Sequence, residues 1–432
     1  MFKIISSLVI LLLLTIFYKK CNSHYSSSQV ILITNIDDAR RILIDSDLLS
    51  RAIANQGLKK AFQISNPFTN PNENYRKEFL KVLHKTIDFD NNKWQRFANI
   101  ALETVKNEKV LKTGFIELVP WVQKITLITV LRGSLRFDAN VYEVIDDVPK
   151  LINDIWLKSK QYDKNQESIQ QSMRLLKNKI YNASLMSQSK DENIIVIQEI
   201  SKIAHKHLND IQELPQLTSG FINPTKDELE TPLNIIIPTY ETMWRVLLYA
   251  ILEIKVREIL LIKNNSKMKK NNHLKNLNNS IDNFLKNPSY STLKTNSLNL
   301  IVKETLRLYP ATRSIFRTCN EIKYKIDVEG IHRDFKTWGD DSLRFKPERF
   351  EKPYTSYSYI PFSVGKMKCA AADKFAPTVA AILIAAVLSS VDIVDVVDNE
   401  AIQKYQKNPD LPFENHRLAF DKMIINLTTL SK

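Results

Sequence analysis

The sequence predicts a mainly α-helical chain with a small β component. Three observations carry this. From Glu73 to about Glu213 apolar residues recur at helical spacing, with breaks at Asn91-Asn92, Pro120 and Pro149. Two long apolar runs, Pro232 to Ile262 and the segment that follows Cys369, have the length and composition of buried helices. Strand-like pattern is confined to VILIT, from Val30, and to a short stretch from Cys319 to Glu329.

Taken in order, MFKIISSLVILLLLTIFYKK opens the chain. Ile4 to Tyr18 is apolar apart from Ser6, Ser7 and Thr15. It approaches the ~20 residues that span a bilayer. Lys19 and Lys20 outweigh Lys3, which favours a cytosolic C-terminal side. Residues 1–20 are therefore read as a single-pass membrane anchor rather than a cleaved signal peptide, because FYKKCN lacks a small-residue cleavage pattern. Next, VILITNIDDARRILIDSDLL reads as a strand, a turn at Asn35-Ile36-Asp37-Asp38, and a helix capped by Asp37 or Asp38. His205 and His207 lie two apart on a helix, do not share a face, and are expected in solvent. The apolar helix from Pro232 is interrupted by Pro238, which removes an N–H and crowds a carbonyl. Lys263 to Asn279 is a polar surface loop, and SLNLIVKETLRLYP is a helix that stops at Pro310.

Composition excludes some classes. Three cysteines in 432 residues make no disulfide framework, so a reducing compartment fits. The net charge of +14 suits an acidic partner or an anionic membrane surface. It also follows from the Lys- and Asn-rich background, as in KNNSKMKKNNHLKNLNN. No finger spacing or alternation of aromatic and basic residues supports nucleic-acid binding. With only 7 glycines, turns that need positive φ must lean on Asn.

The chemistry gathers in four stretches, in this order: TYETM, KETLRLYP, HRDFKTWGDDSLRFKPERF and PFSVGKMKC. Glu304 and Arg307 are three apart and share a helix face, and Arg349 comes from an irregular segment. A buried Glu between two Arg donors would satisfy its oxygens on both sides. Cys369 follows Arg349 by 20 residues (369 − 349), and Glu304 stands 63 residues after Glu241 and 65 before Cys369 (304 − 241; 369 − 304). This order and spacing resemble the cytochrome P450 family, the haem-thiolate monooxygenases, from about Val30 to the C-terminus.

The resemblance implies a cytochrome P450 domain over residues 21–432, on that family's mostly-α fold with a small sheet. Cys369 would be the thiolate ligand of the iron of haem b. A helix starting near Ala370 would aim its N–H groups at the sulfur, and Phe362 would shield that side from water. Arg317, and less directly Arg313, would partner the haem propionates. Glu304, Arg307 and Arg349 would form the structural triad, and Glu241 with Thr242 the acid-alcohol pair that passes protons to oxygen. The implied activity inserts one oxygen atom of O₂ into a lipophilic small molecule. Electrons would come from NADPH through NADPH-cytochrome P450 reductase, docked on a basic face around Lys366 and Lys368. The domain would sit on the cytosolic side of the endoplasmic reticulum membrane.

Departures from the family pattern support other readings. Met367 stands in the loop's usual Arg position and Ala371 in its second Gly position. Tyr75 and Phe79 stand where the family has Trp and Arg on a propionate-facing helix. The first helix and strands of the fold lack room before Val30, and the sheet near Cys319 should be reduced. One alternative is a degenerate member with weak or no haem binding that acts as a non-catalytic membrane-anchored binder. Another keeps haem for peroxide or isomerisation chemistry, and Glu241-Thr242 argues against it.

Overall fold

The computed structural model describes residues 30–107, 114–138, 141–186, six positions between 199 and 207, 225–263, 276–351, 357–397, 400–408 and 410–430. The segment read as a membrane anchor and His205 lie outside these residues. Among the described residues, no helix is long and apolar enough to cross a membrane.

The molecule is mainly helical with two small sheets. The helices used below are α1 (Ile36–Asp45), α2 (Leu48–Ala54), α3 (Glu73–Ile87), α4 (Leu118–Ser134), α5 (Val148–Ser159), α6 (Tyr162–Met186), α7 (Leu233–Ile251), α8 (Ser297–Leu308) and α9 (Phe375–Ser390). α4 and α9 are apolar on nearly every face and almost wholly buried, as central helices must be. They flank α7, which also packs on α8, and the four form the middle of one continuous apolar core. α5 and α6 are joined by two residues and lie against each other as a hairpin.

One sheet has strand order β1-β4-β3, with β1 (Val30–Ile33) parallel to β4 (Ile322–Asp327) and β4 antiparallel to β3 (Ser314–Cys319). β3 and β4 form a hairpin turned by Asn320 and Glu321, at φ of 48° and 65°. Two consecutive left-handed residues are what a two-residue hairpin turn demands. The second sheet is antiparallel, in the order β2 (Gly114–Glu117), β6 (Ile424–Thr429), β5 (Val391–Val396).

Several local expectations are corrected. The cap of α1 is Asn35, whose Oδ1 accepts the amides of Asp37 (2.8 Å) and Asp38 (3.1 Å). The two aspartates instead place negative charge in the first turn, where the helix dipole favours it. His207 is buried, 3.3 Å from a Glu78 carboxylate oxygen, because its segment folds back onto α3.

Pro238 does not interrupt α7. A proline there leaves the Asn234 carbonyl without its i+4 donor. The buried Asn66 side-chain amide donates to that carbonyl at 3.1 Å instead. The helical irregularity lies further on, as a π turn at Leu252–Val256. The long apolar helix after Cys369, α9, begins at Phe375, not near Ala370. Pro377 explains the difference: in the first turn its missing N–H is an orphan in any case, whereas a helix begun at Ala370 would need that bond.

Candidate active site around Cys369

The sequence order Glu304-x-x-Arg307 places both side chains on one face of α8, and both are fully buried. Arg307 donates Nε to Glu304 Oε2 (2.7 Å) and one Nη to Oε1 (2.8 Å). Its remaining donors reach the carbonyls of His332 (2.7 Å), Ser342 (2.7 Å) and Arg344 (3.2 Å). All five guanidinium N–H groups are thus used. Glu304 Oε1 also accepts from the Lys346 amide (2.8 Å) and Arg349 Nε (3.1 Å). Arg349 continues to the carbonyl of Asp341 (2.9 Å) and its carboxylate (3.0 Å). Burial would raise the Asp341 carboxyl, but Lys346 and Arg349 outweigh it and hold the group below its usual range. The three residues expected as a triad are therefore brought together. The fully buried Arg307 and the part-buried Arg349 share one carboxylate and lock the segment 332–349 onto α8.

That clamp extends to the cysteine loop through His332. This fully buried imidazole accepts the Ile360 amide at Nε2 (2.9 Å) and meets the Arg307 carbonyl at Nδ1 (3.2 Å). Ile360 directly precedes the loop. Ser363 follows at φ 65°, its amide donating to the Ile360 carbonyl (3.1 Å). Gly365 has φ 73°, and a Cβ on it would stand 3.2 Å from the Ile44 Cα. The loop therefore needs glycine there both for conformation and for its approach to α1.

Cys369 is held by this frame. Its amide donates to the Phe362 carbonyl (3.0 Å), and Phe362 packs on the core beside it. Burial raises the Cys369 thiol above its ordinary value; the Ala371 amide, then Arg51 and Lys368, work in the other direction. The Ala371 amide and the nearby cations offset the effect of burial only in part, and the long helix after the loop begins six residues beyond the sulfur (375 − 369). Lys366 and Lys368 are exposed beside it, Lys368 paired with Asp373.

Arg317 is 2% exposed on β3. Its Nε donates to Ser46 Oγ (3.0 Å) and one Nη to the Phe316 carbonyl (2.8 Å). Arg313 sits elsewhere, with Nε 2.6 Å from Glu329 Oε2, on the rim of a cavity of about 370 Å³ that Lys325 and Arg333 also line. Of the two arginines considered for propionates, only Arg317 is free of a carboxylate contact among the described residues.

On α7, Thr242 Oγ1 donates back to the Pro238 carbonyl (3.0 Å) and lies 3.3 Å from the Thr239 carbonyl. Glu241 turns another way. It pairs with Arg417, which also bonds Asn153 and lies over the rings of Trp156 (5.3 Å) and Trp244 (5.7 Å). Acid and alcohol are adjacent in sequence, but Thr242 bonds back within α7 whereas Glu241 bonds to the C-terminal segment. Arg417, His332 and Asn66 were not singled out in the sequence. Each acts through a contact to a residue far along the chain, and no local pattern marks it.

Comparison with known proteins settles the family. The cytochrome P450 family model matches residues 17–393. The chain belongs to the cytochrome P450 family. Curated relatives of this cytochrome P450 include cytochrome P450 CYP749A22 of Panax ginseng, 31% identical over 113 residues, or 22% of this chain and 21% of that one. Cytochrome P450 714B2 of Oryza sativa subsp. japonica is 35% identical over 94 residues, 19% of this chain and 18% of that one. Germacrene A hydroxylase of Helianthus annuus is 36% identical over 90 residues, 17% and 18% of the two chains. The chain spans about a fifth of the length of the curated relatives it matches.

Membership in this family implies haem, and the donor set around Cys369 fits it. A porphyrin iron needs a thiolate, and the anionic propionates need cations. The loop supplies a thiol with an amide aimed at it. The buried Arg51 and Arg317 stand nearby with no carboxylate paired to them among the described residues. Cys369 would hold the iron, and Arg317 one propionate.

Proposed function

We propose that this cytochrome P450 is a haem-thiolate monooxygenase that inserts one oxygen atom of O₂ into a lipophilic small molecule. Haem b, when bound, supplies O₂ activation, and a thiolate ligand favours O–O cleavage. The protein's part is to hold the sulfur, exclude water and position proton donors. The observation that supports the reading best is the built frame of Cys369: its amide on the Phe362 carbonyl (3.0 Å), and its loop tied to the triad through His332. Thr242 is the proton-passing hydroxyl in this proposal, released from the Pro238 carbonyl as it turns. Electrons reach the site from NADPH through its reductase, docked on the exposed basic loop at Lys366 and Lys368. Residues 1–20 anchor the domain to the cytosolic face of the endoplasmic reticulum membrane.

A second reading, a non-catalytic binder, is favoured by one observation: Glu241 is engaged by Arg417 and so held away from Thr242. The reduced carbon-monoxide difference spectrum of the full chain separates the two. The thiolate-ligated Soret position is expected for the wild type and is expected to vanish in Cys369→Ser. A folded wild type that carries no haem would leave only the binder.

A further inference from the structure

Arg51 lies on α2, 7% exposed, with its guanidinium 4.1 Å from the centre of the Phe68 ring. α2 packs directly on β3, the strand of Arg317, and Ser50 Oγ lies 3.5 Å from Cys319 Sγ across that contact. Ser46, just before α2, takes the Arg317 Nε. From the other side, Arg76 on α3, which also pairs with the half-exposed Glu73 carboxylate (3.3 Å), donates to the Lys366 carbonyl, inside the cysteine loop. Three arginines from three elements therefore converge beside that loop. Two of them are more than nine-tenths buried, and the loop itself contributes Met367, 2% exposed, rather than a cation.

Such a cluster is costly in the empty protein. Burial, then the neighbouring charges of Arg317 and Arg76, work against the Arg51 cation, and among the described residues the charge that favours it is that of Cys369. Buried cations of one sign persist where an anionic ligand answers them. The nearby sulfur, the buried Arg51 guanidinium and the second Nη of Arg317 suit a planar ligand that carries a pair of carboxylates and a metal.

We infer that Arg51, acting with Arg317 and Arg76, is the site for the two propionate carboxylates of haem and replaces the cation missing from the loop at Met367. This rests on the haem-binding reading above. It assigns the role to Arg51, a residue on α2 that the loop pattern gives no reason to select.

The test titrates the full chain with hemin and, separately, with hemin dimethyl ester, whose masked propionates cannot answer a guanidinium. The wild type is expected to bind hemin roughly 10- to 100-fold more tightly than the ester, the span of one or two charge-assisted hydrogen bonds. Arg51→Met should lose about tenfold or more of the hemin affinity and leave the ester affinity within about twofold. Arg51→Lys keeps the charge without the fork and should retain part of the preference. Without haem, Arg51→Met should melt at a higher temperature than the wild type, since a buried unopposed cation is gone. If the wild type binds hemin with the thiolate spectrum but Arg51→Met and Arg51→Lys keep its full preference over the ester, the assignment of Arg51 is overturned and the monooxygenase reading stands. A lower melting temperature for haem-free Arg51→Met would mark Arg51 as structural and also overturn it. A folded wild type that takes up no hemin overturns both.

Discussion

The His332 imidazole has one ring nitrogen facing an amide and the other a carbonyl, which fixes its state. Nε2 accepts from Ile360, so Nδ1 carries the proton and donates to the Arg307 carbonyl. Protonating Nε2 would break the bond to the loop. Burial, then the Arg307 charge, pushes this histidine from 6.5 down to about 3. The folded value lies below the unfolded one, so the unfolded chain takes up the proton first as pH falls. His332 therefore contributes stability that is fully present above pH 6.5 and is lost between 6.5 and about 3. At about 1.4 kcal/mol per pKa unit, the upper bound is on the order of 4–5 kcal/mol. The urea midpoint measured from pH 7 to pH 4 should fall in the wild type and fall less steeply in His332→Gln, which cannot titrate. Equal slopes would show that other groups, not His332, carry the acid sensitivity.

At the scale of elements, α7 shows how a local rule is met by a distant residue. Pro238 deprives the Asn234 carbonyl of a donor, and Asn66, 168 positions earlier, supplies one. Removing that donor leaves a buried carbonyl unpaired, at a cost of ~1–3 kcal/mol. Asn66→Ala should therefore destabilise the chain by about that much, and by about 1 kcal/mol less when Pro238→Ala restores the helical N–H. Urea unfolding of the four proteins of this double-mutant cycle checks it; strict additivity would mean that Asn66 acts only through the Phe68 amide it accepts at 3.0 Å. The same contrast explains what could be read in the sequence. The helices α4, α7, α8 and α9 were legible from periodicity and apolar length, and Cys369, Glu304, Arg307 and Arg349 from motifs of fixed spacing. The start of α9 was misplaced by five residues (375 − 370), since the turn that precedes it carries no signal stronger than Pro377. The Asn35 cap was assigned to its neighbours, because Asn and Asp cap equally well and only geometry chooses. Arg51 could not be found at all. Its partners come from β3, α3 and the cysteine loop, the last 318 residues away (369 − 51), and only the folded chain brings them together.

Over the whole molecule, the C-terminal segment closes the fold onto α7. Asn415 receives Arg245 at both its carbonyl (3.2 Å) and its side-chain oxygen, and the Glu414 carbonyl receives the Tyr249 hydroxyl (2.6 Å). Arg417 then joins Glu241 of α7 to Asn153 of α5. Three regions, near residues 153, 241 and 417, are tied by one guanidinium between two indoles. Glu241 is 9% exposed, so its charge relies on that partner. Breaking a buried pair by removing one member costs about 3–5 kcal/mol, whereas removing both can be nearly neutral. Arg417→Met should lower stability by that order, and Glu241→Leu in the same chain should recover most of it, both read by urea unfolding. Recovery means that the pair serves the fold and that Glu241 is occupied with holding α5, α7 and the C-terminal segment together. Failure of the double variant to recover would mean that Arg417 serves the fold through Asn153 and the two indoles rather than through Glu241.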